Sequence, residues 1–396
     1  MEIELYDTVV TNDGNIVRLV EAIFSRALQL GASDIHIEPL EDYARVRLRI
    51  DGLLTELCRL PIVRHNAVLS RIKLLSEMDI AEKRLPQDGR LAANFQGRAI
   101  DFRVASLPTI EGEKLAIRIL DKHKDTMDLD KLGFSESNLE RYKKLIHAAN
   151  GLILLSGPTG SGKTTTLYAT LREINSMEKN IITLENPIEY KLAGINQIAI
   201  QEKIGMTFAK GLRAIVRQDP NIIMLGEIRD EETARIAVQA ALTGHLVFST
   251  LHTNSALDAI ARLVDMGIEP FLLLSALRGV LAQRLVRKQC EACVEEYVAS
   301  SFEKECLAKN PTELLKLTRN TGCRACRETG YRGRLALQEL IIMDDKLRSL
   351  CLKQENKSQC LQYLRENGFK SLREDGIAKV LAGKTTLAEL NRIAVL

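Results

Sequence analysis

Gly157-Pro158-Thr159-Gly160-Ser161-Gly162-Lys163-Thr164-Thr165 matches the spacing GxxxxGK[ST] in full. Glycines at these places let consecutive backbone N–H groups turn inward and wrap phosphate oxygens. A helix starting at the same point adds partial positive charge there. Lys163 is then placed to reach the outer phosphates of a nucleoside triphosphate, and Thr164 to ligate Mg²⁺. Two carboxylates follow apolar runs downstream, Glu185 after Ile181 to Leu184 and Glu227 after Ile222 to Leu225. Near a γ-phosphate such groups orient a water or hold the metal. His245 opens the apolar run Leu246 to Thr250 and His252 follows it, where a polar group can sense the γ-phosphate. A second chemistry resides in Cys290-x2-Cys293 and Cys323-x2-Cys326, separated by 29 residues. Each pair is a chelating knuckle, and together they supply the four thiolates of a closed, structural Zn²⁺ site.

These residues need elements to hold them. The short apolar runs Leu152 to Ser156, Ile181 to Leu184, Ile222 to Leu225 and Leu246 to Thr250 alternate with helical stretches. That order implies βαβ units around a parallel sheet covered on both faces. The first ~120 residues read differently: an amphipathic helix at about Asn15 to Leu30, then short alternating strands. Ala44 to Ile50 alternates and meets the turn signal Asp51-Gly52. Ile100 to Val104 and Leu115 to Ile119 alternate too, which sets Arg103 and Arg118 opposite their apolar neighbours. The polar stretch Asp121 to Thr126 marks a linker, and the chain from about Leu335 reads as mostly helical.

Composition narrows the function further. With 396 residues, two or three domains are expected. A net charge of +3 and 4% aromatic residues give no support to nucleic-acid tracking or stacking. No apolar run reaches the ~18–20 residues that span a bilayer, so membrane association is expected only through partners. The acidic start Met1-Glu2-Ile3-Glu4-Leu5 does not read as a secretory signal. The remaining cysteines, Cys58, Cys306, Cys351 and Cys360, are scattered singly and read as reduced thiols in a cytoplasmic protein.

The order of these motifs resembles the secretion superfamily ATPases, specifically the type II secretion E protein and the type IV pilus assembly ATPase. The resemblance runs nearly the length of the chain. It rests on Ser33-Asp34-Ile35-His36-Ile37-Glu38-Pro39, Arg49 to Gly52, Arg84 to Arg90, the phosphate loop, Glu185 to Glu189, Leu225 to Asp230 and the two-histidine segment. It implies a RecA-like P-loop ATPase core, an N-terminal PAS-like α+β domain and a tetracysteine zinc subdomain. The expected boundaries are 1–121 for the PAS-like domain, 122–131 for the linker, 132–286 for the RecA-like domain, 287–334 for the zinc subdomain and 335–396 for a helical end. It further implies ATP as substrate with Mg²⁺, and Arg103 and Arg118 closing over the phosphates. Arg213 and Arg217, one helical turn apart, would add to the site or to subunit contacts, or be simply solvated. A homohexamer is implied, working on inner-membrane platform and anchor proteins of a secretion or pilus machine.

Two departures stand out. Asn186 replaces an Asp found in many members, and the chain begins almost at the PAS-like domain, where longer members carry a further docking domain. Gly226 in place of the usual Mg²⁺-binding Asp is itself a family feature. A nucleic-acid translocase on a similar core is the competing reading. The insert from Glu291 to Gly322 carries acidic residues along its length, which disfavours it. A nucleotide-binding scaffold without turnover is disfavoured by Lys163, Glu185 and Glu227.

Overall fold

Asn15 accepts hydrogen bonds from the backbone N–H of Val17 and Arg18 and so caps the helix Ile16–Gln29. That helix opens the portion of the chain seen in the computed structural model, which describes residues 15–95, 97–121, 128–310, 312–352 and 357–393. They fall into two compact units that divide after residue 126. The expected linker at 122–131 lies mostly outside the described residues, and its last part, Leu129–Lys131, is a 3₁₀ turn of the second unit.

The first unit is a six-stranded antiparallel sheet made of β1 (Asp34–Pro39), β2 (Tyr43–Ile50), β3 (Leu53–Pro61), β4 (Gln87–Phe95), β5 (Arg98–Thr109) and β6 (Gly112–Asp121), in the order β3-β2-β1-β6-β5-β4. Asp51 and Gly52 both have positive φ, the requirement of a type I′ hairpin turn, and they join β2 to β3. Alternation settles the faces. Ala44, Val46, Leu48, Phe102, Val104, Leu115 and Ile117 are buried, in one core with residues of helices Ile16–Gln29 and Ile62–Leu75. The other face is charged. Along one register row it presents Arg49, Asp34, Arg118, Arg103 and Arg90 on five neighbouring strands.

The second unit is built on a seven-stranded sheet with a parallel core. Its strands are β7 (Gly151–Ser156), β8 (Ile181–Glu185), β9 (Asn196–Ala199), β10 (Ile222–Leu225), β11 (Leu246–Leu251) and β12 (Leu277–Gln289), and β15 (Tyr331–Ile342). The order is β15-β12-β7-β11-β10-β8-β9, with only β12–β15 antiparallel. β7, β8, β10 and β11 are buried along their whole length because helices cover both faces. β13 (Val294–Val298) and β14 (Lys316–Asn320) form a separate ribbon in the cysteine region. One expectation is corrected here. The chain after Leu335 does not turn helical at once, because Leu335 to Ile342 complete β15 along β12 and the helices start at Asp345. Among the described residues, no helix is long and apolar enough to cross a membrane.

Candidate functional site

The phosphate loop leaves the carboxyl end of β7 in a conformation that only its glycines allow. Gly157, Gly160 and Gly162 have φ of 148°, 79° and 87°. Gly162 is the left-handed residue from which the helix Lys163–Ile174 starts. Lys163 is buried, and its Nζ donates to the carbonyls of Gly157 (2.5 Å) and Pro158 (3.0 Å), folding the side chain across the loop. Burial pulls its pKa down to about 8; Glu227 opposes that pull and the Arg284 guanidinium adds to it. Thr164, Pro158 and Thr159 are exposed at the same end of the sheet, and Ser161 is buried beneath them.

β11 lies between β7 and β10, so the carboxyl ends of these three parallel strands lie side by side, the edge at which open α/β sheets bind ligands. Glu227 follows β10 there, with a carboxylate only 16% exposed. It pairs with Arg229 Nη2 at 2.6 Å and faces His252 Nε2 at 3.5 Å. Burial and the nearby Lys163 lower the pKa of His252, which favours the neutral ring. The backbone of this corner is fastened: Thr250 Oγ1 donates to Gly226 O (2.7 Å) and Ser156 Oγ to Thr253 O (3.1 Å).

Two of the sequence candidates sit differently. Glu185 ends β8 as expected, but its carboxylate is 3% exposed and already accepts from Tyr168 Oη, Thr183 Oγ1 (2.6 Å) and Gln197 Nε2 (3.1 Å). It anchors the acidic segment to the helix behind the phosphate loop. His245 is not brought to the site. It precedes β11, and its Nδ1 lies 2.9 Å from the carbonyl of Ala240 at the end of helix Glu231–Leu242. Six strand residues separate it from His252, roughly 20 Å along the chain. Arg213 pairs with Glu232, and Arg217 donates to the Arg213 carbonyl, both exposed. In the first unit Arg118 is bound to Asp34 at 3.2 Å and lies across from Arg103.

Two residues at this site were missed from sequence, Gln283 and Arg284 in the middle of β12. Both are buried. Arg284 Nη2 donates to Asn254 Oδ1 (3.0 Å), just beyond the histidine, and burial lowers its pKa. A polar pair inside an otherwise apolar stretch, Leu281 to Val286, was the available signal.

The four cysteines converge. Their Sγ atoms all lie within 4.8 Å of one another, with Cys290–Cys323 at 3.9 Å and Cys293–Cys326 and Cys323–Cys326 at 3.7 Å. A tetrahedron with Zn–S bonds of ~2.3 Å has edges of about 3.8 Å, so these donors fit zinc. The N–H groups of Cys323 (3.1 Å) and Gly330 (3.2 Å) point at Cys326 Sγ, as a thiolate requires. Cys351 and Cys360, remote in sequence from that cluster, also meet, with their sulfurs 3.9 Å apart.

The profile described as "Type II/IV secretion system protein" matches residues 9–392. The chain is 50% identical over 382 residues to the type II secretion system protein E of Pseudomonas aeruginosa, covering 96% of this chain and 76% of that protein. The type II secretion system ATPase E of Vibrio cholerae is 48% identical over the same span and coverage. Among solved structures, the pilus retraction motor PilT with bound ADP superposes with a TM-score of 0.63 at 30% identity, covering 94% of this chain and 96% of that one. The Legionella pneumophila ATPase DotB shares the fold, with a TM-score of 0.70 at 20% identity over 95% of both chains. This chain belongs to the type II/IV secretion system protein family.

Proposed function

We propose that the protein is an ATP-hydrolysing motor that drives pseudopilus or pilus assembly, in a type II secretion or type IV pilus machine. The observation that carries this reading is the convergence of Lys163, Glu227 and His252 at the carboxyl ends of β7, β10 and β11, in a chain of this family. The residues from Gly157 to Thr165 bind the phosphates. Thr164 is the residue to hold Mg²⁺, which supplies charge neutralisation at the phosphates when bound. Glu227, tethered by Arg229 and facing His252, accepts the proton of the attacking water. Glu185 acts one step back, by fixing the acidic segment through Tyr168, Thr183 and Gln197. His245 has a structural part only, at the end of helix Glu231–Leu242. Arg103 and Arg118 offset charge on the γ-phosphate when the N-terminal domain closes.

The assembly in this proposal is a cytoplasmic homohexamer that meets the inner membrane through platform and anchor proteins. The cysteine cluster holds Zn²⁺ as a structural element. The boundaries at 1–121, 122–131, 132–286, 287–334 and 335–396 remain our functional division of the chain. The test compares two variants of the full chain. Lys163→Ala loses nucleotide binding. Glu227→Gln keeps it but loses turnover, because the shape survives and the carboxylate does not. Wild-type hydrolysis by folded Glu227→Gln protein overturns the assignment.

A further inference from the structure

Gln283 is 2% exposed, in the middle of β12, with three partners for one side-chain amide. Its Nε2 donates to the carbonyl of Ser161 at 2.7 Å. Its Oε1 accepts from Thr166 Oγ1 at 2.9 Å and from Gln338 Nε2 at 3.3 Å. One end of the amide therefore holds the phosphate loop, and the other holds the first turn of the helix that follows it. The approach is close. A Cβ on Gly157 would lie 2.4 Å from the Gln283 carbonyl, and a Cβ on Gly162 would lie 2.7 Å from its Nε2. Gly157 is thus required by the β12 backbone as well as by its positive φ, and a side chain at Gly162 would displace the Gln283 amide.

Peptide geometry turns this contact into a function. In a trans peptide the carbonyl and the following N–H point to opposite sides. Drawing Ser161 O toward β12 therefore aims the Gly162 N–H away from β12, and that N–H makes no hydrogen bond among the described residues. Backbone N–H groups directed in this way are what a P-loop offers to phosphate. We infer that Gln283 is a positioning residue for phosphate binding: it sets the Ser161–Gly162 peptide so that the Gly162 N–H is presented to the nucleotide. This rests on the reading of the loop as a nucleotide site. Gln283 touches the loop, and it acts through the loop.

The test uses the full chain with Mg²⁺, a fluorescent ADP analogue and competing ATP, measured beside steady-state hydrolysis. Gln283→Met keeps the length of the side chain and removes the donor. Its dissociation constants for both nucleotides should rise about tenfold or more, the worth of one hydrogen bond to a charged group. KM for ATP should rise in step while kcat stays within about twofold. A merely structural glutamine behaves otherwise, lowering the active fraction and hence kcat with KM unchanged. Folded Gln283→Met with wild-type affinity, or with only kcat reduced, overturns the inference. If that variant does not fold, Thr166→Val carries the test. It releases the other end of the amide, should weaken both nucleotides about threefold, and overturns the inference if it binds as wild type. Failure of the wild-type protein to bind nucleotide would overturn the site reading itself, a distinguishable result.

Discussion

Arg103 on β5 stands directly opposite Arg118 on β6, and Arg90 on β4 stands opposite Arg103 in turn. Like charges facing each other across strands cost a sheet stability, and in this row the one intervening acid is Asp34, bound to both Arg118 and Arg49. Concentrated positive charge of this kind fits an anion that arrives from elsewhere. Arg103→Ala and Arg118→Ala should each cut ATP turnover about a hundredfold or more, with nucleotide affinity reduced far less and the fold no less stable. Lysine should rescue poorly, since it lacks the planar fork. Near wild-type turnover by both alanine variants in assembled oligomers would leave the arginines as a solvated face and shift attention to Arg213 and Arg217.

The burial of Lys163 gives a pH signature. With its pKa lowered to about 8, the free site carries a charged amine below that pH and a neutral one above it. Phosphates favour the charged form and so raise the pKa of the complex. Binding must therefore take up a proton above about pH 8, and affinity should fall up to tenfold per pH unit over that range. Calorimetry at pH 8.5–9 in two buffers of different ionisation enthalpy reads the proton directly. Affinity that stays flat to pH 9.5, without proton uptake, would show that the amine titrates in the ordinary lysine range.

Metal analysis of freshly purified, reduced protein should return one zinc per chain. Cys326→Ser should lose it and lower the unfolding temperature, since Cys326 Sγ is the acceptor for two backbone N–H groups. Structural zinc contributes ~10–16 kcal/mol apparent in finger peptides. Replacing that is beyond the small core around Leu307, Leu317 and Leu390. Well-folded protein without zinc removes the claim.

How far the chain could be read from its letters depended on the element. β10 and the start of the phosphate-loop helix were plain, because an apolar run or a glycine motif bounds them on both sides. The hairpin at Asp51-Gly52 was equally plain from its turn chemistry. β12 and β15 were hidden. Leu277 to Gln289 mixes Arg, Gln and Gly into a strand that buries Gln283, Arg284 and Gln289, so neither alternation nor a clean apolar run announces it. At the site, spacing located the ends of β8 and β10 but not the directions of their side chains. Glu185 turns to Tyr168 while Glu227 meets His252, and only packing distinguishes them. His245 lies apart from His252 for a simpler reason. It precedes β11, and Lys163, Glu227 and His252 lie at the strand's other end.

β12 touches the glycine-rich loop at Gln283 and delivers Cys290 to the cysteine cluster just past its end. Those seven residues span about 23 Å of extended backbone, a chain that resists stretching because it has almost no slack. The strand is laced to β15 along nearly its full length. Its register slips between Arg287 and Gln289, and there the turn at Lys384 and Thr385 grips it from the side through Gln289 N and Arg287 O. Mechanically this is a tie rod with one clamped elbow. Displacing the loop at Gln283 therefore loads this strand, and its one irregularity, between Arg287 and Gln289, lies beside the four cysteines.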